Sequence, residues 1–502
     1  MLSAGAHVGD YEVWGRLGGG GMSEVYLARH RALAMPAVIR TLRPDLRASP
    51  HERARRMLTE ARLMARIPSP YVVRAYDAGT HEDTPWMAQE YVDGVDLNEL
   101  DHLRRQTLGR GLPLWFVCET MAQIAHALHA AHQHGVLHRD LKPSNLFGCP
   151  EIGVKLGDFG VAVAKRVGEL GECDVSGTAR FMPPEALRGQ PLDRRSDIYE
   201  LGATAFDLRY GHPPFPNPLL LLTSAPHPAF PAPTTPEEAF FQHVVARMLA
   251  YEPDARYRTV AEPMRLFGAL AKSARRPAAP ARVGDAIVFG ATRIGLEAGD
   301  IARARADGIV SSANWEMKMR TGVGESLRRA GGDAIEAEAQ SHGQQPLGAC
   351  VVTGPGDLPC RKVLHAVSAW EQASCVGRAT QRALLEAERH DLRTLAMPAL
   401  GTGAAAVTLE ACAAAMAAAL RWHLALGGSR LTDIRLVLYD DDKRKVFRDV
   451  LEAALLGDGD PCDDHGLSHA LIEGDEDRVS GEGPTYVAGS ADVVRSSAVR
   501  AR

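Results

Sequence analysis

A chain of 502 residues with 45% hydrophobic content is long and apolar enough to build two or three domains. Its net charge of -5 gives no reason to expect nucleic acid or a membrane surface as a partner, and eight cysteines without a CxxC pair argue for a reducing compartment and against zinc. The start carries no basic, then apolar, leader; the apolar run at Leu219 to Leu222 is too short to span a bilayer, and Ala411 to Leu420 is mostly alanine, so a cytoplasmic protein is expected.

The alternation in Tyr11 to Leu17 predicts a strand, and Glu24 to Ala28 a second. Between them lies Gly18-Gly19-Gly20-Gly21-Met22-Ser23, a turn that can lay backbone N–H groups over phosphates. A third strand, Ala37 to Leu42, carries Arg40, and a helix from about Pro50 to Ile67 carries Glu60. Met87 to Val92 is the next strand; Asp96 or Glu99 is placed to cap or charge the first turn of the helix after it. Trp115 to His134 is one long helix, with Val117, Met121, Ile124, Leu128 and Ala131 recurring at three and four. His126, His129, His132 and His134 read as surface or hydrogen-bonded residues, because no acidic or cysteine ligand accompanies them.

The stretch Val136 to Leu146, VLHRDLKPSNL, sets His, Arg, Asp, Lys and Asn between apolar runs, and Asp158-Phe159-Gly160 follows. Together they offer a carboxylate to orient a hydroxyl, a lysine for phosphate charge, and an Asn plus an Asp for Mg²⁺. In order and spacing these residues resemble the catalytic and metal loops of the bacterial eukaryotic-type Ser/Thr protein kinases. The resemblance covers residues 9 to 270 and implies a bilobal α+β fold with ATP and Mg²⁺ as cofactors. It implies that Asp140 orients the substrate hydroxyl, Lys142 sits near the transferring phosphoryl group, and Asn145 and Asp158 hold the metal. Gly18, Gly20 and Val25 would lie over the nucleotide, with Ser23 where the family has a third glycine. Glu90, Tyr91 and Val92 would form the hinge to adenine, with Gln89 at the rear of the pocket. His138 would pack under the loop, Asp197 would support its backbone, and Glu185 with Arg256 would make a buried ion pair. Arg139 suggests a pocket for a phosphorylated residue of the segment after Asp158, and Ser176 is the candidate phosphosite. Lys142, two residues after Asp140, fits the Ser/Thr class.

One position departs from the family. Arg40 stands where the kinases have the ATP-phosphate lysine, with Glu60 as its expected helix partner. Arginine keeps the charge but is longer and planar, so the exchange is not conservative at a site that positions phosphates. No lysine occurs before Lys142, so none in the first lobe replaces it.

Leu219 to Pro236 is Pro-rich and expected to be irregular; helices are expected at Glu237 to Leu249 and Val260 to Leu270. Lys272 to Arg282 reads as a semi-rigid linker of Pro, Ala and Arg. Beyond it, strands at Ala286 to Phe289, Gly308 to Asn314, Cys350 to Thr353, Lys362 to Val367, Thr394 to Met397 and Ile434 to Tyr439 alternate with helices at Gly322, Cys375 to His390, Thr408 to Leu424 and Arg444 to Leu455. That alternation predicts an α/β sheet covered on both faces. Asp300-Ile301, the strand ending at Asn314, and the glycine turns at Gly322-Val323 and Leu400-Gly401-Thr402-Gly403 resemble the ADP-ribose site of a macro domain. The resemblance implies a three-layer α/β fold, with Asp300 and Ile301 at adenine and Asn314 at the distal ribose. Gly322, Val323, Gly401, Thr402 and Gly403 would embrace the diphosphate. Ser311 replaces the first Asn of the family's strand end. Hydrolytic members often place an Asp where this chain has Gly324, with Glu325 next. Trp315 could stack on a ligand or belong to a core.

The expected organisation is a kinase domain at 1–270, a linker at 271–283, a macro domain at 284–456 and a low-complexity tail at 457–502. The expected function is transfer of the ATP γ-phosphate to Ser or Thr of a protein, joined to a module that binds ADP-ribose, free or on a protein. The alternatives are a pseudokinase scaffold disabled at Arg40, and an ADP-ribose hydrolase.

Overall fold

The computed structural model describes residues 2–456 apart from 20–22, 43–49, 83, 150–152, 160–177, 224–225, 275, 277–278, 371–372 and 404–406. The first half opens with a six-stranded antiparallel sheet. Its strands run, across the sheet, His7–Val8, Tyr11–Gly19, Ser23–His30, Pro36–Leu42, Thr84–Glu90 and Ala75–His81. The four predicted strands are longer or shifted by one to three residues, and His7–Val8 and Ala75–His81 had no predicted counterpart. The Pro50–Met64 helix lies against this sheet and buries Met57, Ala61 and Met64, spaced for one helical face. The predicted extension of that helix to Ile67 does not form.

A helical lobe follows, built on the Leu114–Gln133 helix. The Leu97–Leu108 helix before it begins at Asp96, whose side chain accepts the Glu99 N–H at 2.9 Å, as the capping residues indicated. Arg194–Tyr210, Pro236–Met248 and Ala261–Ser273 complete the lobe. Arg256 meets Glu185 at 2.7 and 2.9 Å with both side chains buried, and Ser196 supplies a further hydrogen bond to Glu185. The Pro-rich stretch holds one short helix, Leu220–Thr223, where only irregular chain was expected.

The second half contains an eight-stranded sheet. Its order is Cys350–Thr353, Lys362–Val367, Gly308–Ala313, Thr394–Met397, Asp433–Leu438, Thr292–Ala298, Ala286–Phe289 and Ala281–Val283. The five strands from Lys362–Val367 to Thr292–Ala298 are parallel, and the outer ones are antiparallel. Alternate residues of Gly308–Ala313 enter two cores. Val310 packs with the helices Val376–Arg389, Leu409–Ala425 and Asp441–Leu456, and Ile309 with Gly322–Gly331 and Ala334–Ser341. These helices on opposite faces make the three layers.

Three sequence expectations are corrected here. Thr292–Ala298 is a central strand that composition hid, because Arg293, Gly295 and Glu297 break its apolar run. Ala334–Ser341 is a helix too short for its period to stand out. The linker is shorter than 271–283: Lys272 and Ser273 finish a helix, and Ala281–Val283 pairs with Ala286–Val288 as an edge strand.

Candidate functional site

Two clefts carry the predicted chemistry. In the first, Asp140, Lys142, Asn145, Asp158, Arg40 and Glu60 converge. The loop bearing Asp140 is held from beneath. The buried Asp197 carboxylate accepts the His138 and Arg139 N–H groups at 3.0 and 2.9 Å, and Glu200 accepts the Leu141 N–H at 2.8 Å. These bonds offset the strain of Arg139, which has φ +66°. His138 is fully buried, touches the Gly157 carbonyl through Nε2 at 3.1 Å and packs edge-on against Phe159.

Lys142 Nζ donates to both Asp140 carboxylate oxygens, at 3.0 and 2.9 Å. The Asn145 amide nitrogen donates to the Asp140 carbonyl at 2.7 Å and more weakly to its carboxylate at 3.3 Å. That leaves the Asn145 amide oxygen for a cation. Asp158, itself at φ +50°, faces the cleft.

Arg40 Nη1 lies 2.8 Å from Glu60 Oε1 and 2.8 Å from Asp158 Oδ1. The pair with Glu60 is the expected one; the pair with Asp158 is an additional contact of the same nitrogen. Burial works against the Arg40 charge, but Asp158 and Glu60 outweigh it and hold its pKa above the ordinary value. Its Nε is buried and has no hydrogen-bond partner among the described residues, a donor left for an incoming acceptor.

Burial pushes the Glu60 carboxyl up to about 7, against the pull of Arg40 and with help from Asp158 and Asp140. An acid whose pKa rises on folding binds more protons folded than unfolded. Its contribution to stability is therefore full below the ordinary carboxyl pKa and is lost as pH rises to about 7. Glu60→Gln should remove this part of the pH dependence of the thermal midpoint between roughly pH 4.5 and 7.

Glu90 is turned away from nucleotide chemistry, because its side chain pairs with the buried Lys155 at 2.7 Å; only its backbone remains for a hinge role. Gly18 pairs with Val25 across the hairpin, and Val25 in turn lies directly across from Arg40. Gly20 and Ser176 lie outside the described residues.

The second cleft lies at the carboxyl ends of the parallel strands, the place where open α/β sheets bind ligands. Thr292–Ala298 leads to Asp300, Gly308–Ala313 to Asn314, and Thr394–Met397 to Gly401. Asp300 caps a short turn through the Ala302 N–H at 3.0 Å and accepts from Ser326 at 2.7 Å; Ile301 is buried. Gly322 (φ +54°) and Val323 begin a helix, and Gly401 has φ +72°. A Cβ at Gly401 would touch Val376 and Val407 at 3.3 Å, so glycine answers both backbone and space. The Gly401 N–H reaches the Ser312 hydroxyl at 3.3 Å, and Ser312 meets Ser368 at 2.9 Å. Thr402 bonds back to the Ala399 carbonyl at 3.2 Å, and Gly403 is exposed. Asn314 is occupied: its side chain accepts the Lys318 N–H at 3.0 Å and donates to the Lys318 carbonyl at 3.2 Å.

Residues 11–262, half of the chain, match the protein kinase domain model. The chain belongs to the protein kinase family. Residues 310–416 match the macro domain model, so a bacterial-type Ser/Thr kinase domain is joined to a macro domain. The kinase half is 38% identical over 276 residues to the serine/threonine-protein kinase PknB of Mycolicibacterium smegmatis, covering 51% of this chain and 42% of that protein. It is 35% identical over 278 residues to PknF of Mycobacterium tuberculosis, covering 53% and 57%. The chain thus spans about half the length of these curated relatives, or less. A crystal structure of the M. tuberculosis PknI kinase domain aligns over 54% of this chain and all of that one, at 29% identity and TM-score 0.45. Among the described residues no helix is long and apolar enough to cross a membrane.

Several residues of both halves escaped the sequence reading. Glu200 shares a helix face with Asp197, three residues earlier, and that spacing was its signal. The four histidines of the long helix have ordinary partners: Ser69 for His126, Gln133 for His129, Asp197 for His132 and the Ala130 carbonyl for His134. Asp93 and Ser312 carried no local signal at all. Trp315 packs against a core cluster that includes residues of the kinase's first sheet, the second of the two outcomes expected.

Proposed function

We propose that this chain transfers the γ-phosphate of ATP to Ser or Thr of a protein, and that its macro domain binds ADP-ribose. The observation that carries the first reading is the convergence of Asp140, Lys142, Asn145 and Asp158 on one cleft, with the Arg40–Glu60 pair above it. Asp140 accepts the substrate hydroxyl's proton as that oxygen attacks. Lys142, bonded to Asp140, supplies positive charge beside the transferring group. The free oxygens of Asn145 and Asp158 are hard donors that suit Mg²⁺. When bound, the metal neutralises charge developing on the phosphates. The orphaned Arg40 Nε is the donor for an α- or β-phosphate oxygen. Label transfer from γ-labelled ATP, with Asp140→Asn as the blank, tests this reading.

A pseudokinase is the second reading, and one contact favours it: Arg40 holds an oxygen of Asp158. The exchange Arg40→Lys separates the two.

For the macro domain, binding is favoured over hydrolysis. A Cβ at Gly324 would lie 3.2 Å from the Met319 Cα, so a catalytic side chain there meets backbone. The next acid, Glu325, pairs with Arg329. ADP-ribose would lay its diphosphate against Gly322, Val323 and the Gly401-Thr402-Gly403 turn. Gly401→Val, which forces a β-branched residue to φ +72°, should weaken ADP-ribose binding about 10- to 100-fold by calorimetry. Unchanged affinity would remove this turn from the site.

A further inference from the structure

The two halves are not beads on a string. The Asp93 carboxylate, just past the hinge, accepts the Gly377 and Arg378 N–H groups at 2.7 and 3.0 Å, at the start of a macro-domain helix. Tyr91 donates its hydroxyl to Asp93 at 3.0 Å. A Cβ at Gly377 would come 2.7 Å from Asp93 Oδ2, so the approach requires glycine. Farther along, the buried Arg104 donates to the Leu426 and Gly427 carbonyls at 3.1 and 2.8 Å, and Arg430 to the Thr107 carbonyl at 2.7 Å.

The contact reaches the nucleotide cleft. Val25 pairs across from Arg40, and Val38 lies two residues before it, so all three share the cleft face of the sheet. Leu17, Val25, Val38 and Tyr91 belong to one apolar cluster with Trp315 and Met317 of the macro domain. Trp315 and Met317 lie within the turn that the Asn314–Lys318 hydrogen bonds close. Met317 sits there at φ +57°, a conformation its side chain disfavours.

We propose that ADP-ribose in the macro domain opens the kinase's nucleotide cleft, with the 314–318 turn as the switch. This rests on the reading of Asn314 as a ribose contact. To engage a ribose, the Asn314 amide must leave Lys318. The turn then loses both side-chain bonds that close it, leaving the backbone bond from the Met317 N–H to the Asn314 carbonyl at 3.1 Å; Met317 relaxes, and the apolar plug over Leu17, Val25 and Val38 withdraws. Gly401 and Val376 give a second link, because a Cβ on Gly401 of the diphosphate turn would lie 3.3 Å from the side chain of Val376, next to Gly377. Binding coupling is reciprocal, so ATP must also raise the affinity for ADP-ribose by the same factor.

The test is calorimetry on the full chain, with ATP titrated in the absence and presence of saturating ADP-ribose, and the reverse. The expected result is an increase of at least about fivefold in each affinity. If both ligands bind and neither affinity changes, the coupling is wrong while the two sites stand. If ADP-ribose alone fails to bind, the macro-site reading falls and the coupling with it. Asn314→Ala opens the turn without ligand, and Met317→Gly removes the plug side chain while keeping the positive φ. Both should raise ATP affinity toward the ADP-ribose-bound value. Wild-type ATP affinity in both variants, with unchanged thermal midpoints, would overturn the switch.

Discussion

Asp140→Asn is expected to lower phosphoryl transfer by about 10²- to 10⁴-fold while ATP still binds. The exchange keeps the size of the side chain and removes the carboxylate that takes the hydroxyl proton. Lys142 loses one of its two acceptor oxygens, now at 3.0 and 2.9 Å, and the negative charge beside it. The loop itself should keep its shape, because its backbone hangs on Asp197 and Glu200 rather than on the Asp140 side chain. The signature is therefore a fall in kcat with ATP affinity and thermal midpoint preserved. A parallel loss of ATP binding would assign Asp140 to the architecture of the cleft and not to proton acceptance.

Arg40→Lys is expected to act in the opposite direction. Arg40 reaches two carboxylates from one nitrogen, each at 2.8 Å. Lysine is one bond shorter and keeps a point charge in place of the planar fork. Held by Glu60, it releases Asp158. A charge-assisted hydrogen bond of this kind is worth roughly 1.5–3 kcal/mol, which is about 10- to 100-fold in a competition for the same oxygen. The Mg²⁺ concentration for half-maximal transfer should fall by that factor in Arg40→Lys, and the rate at low Mg²⁺ should rise. Calorimetry of ATP binding across a Mg²⁺ series gives a second readout that does not depend on turnover. An unchanged Mg²⁺ requirement would mean that Arg40 yields Asp158 without cost. Arg40→Ala is a poorer test, since it leaves Glu60 buried without its partner.

The parts of this protein that were legible in the sequence are those whose chemistry is contiguous. Asp140, Lys142 and Asn145 occupy six residues, and the protein needs them on one loop for one purpose. Asn314 and Gly401 were legible for a related reason: each follows a strand, and parallel strands bring their carboxyl ends to one edge, whereas Asp300 was legible by resemblance alone, because the strand before it was hidden. The Arg40–Glu60 pair followed from order along the chain. The Arg40–Asp158 pair did not, because it depends on the reach of one side chain across 118 residues. The interface between the halves was silent as well. Nothing in the sequence singles out Asp93 or Leu347, and Gly377 falls inside a predicted helix; a Cβ on Gly15 would lie 3.3 Å from the Leu347 side chain. Such contacts join surfaces with unrelated periodicities, so neither pattern reports the other. Trp315 shows the limit: a large aromatic on a loop announces that it is buried against something, and only the fold says against what.

Transfer from γ-labelled ATP to the chain itself and to a generic basic protein, followed by phosphoamino-acid analysis across a Mg²⁺ series, is the most direct measurement. The expected result is label on serine or threonine that rises with Mg²⁺, is lost in Asp140→Asn and appears at lower Mg²⁺ in Arg40→Lys. Absence of label in the wild type and in Arg40→Lys at every Mg²⁺ concentration would contradict phosphoryl transfer and leave the cleft as a scaffold.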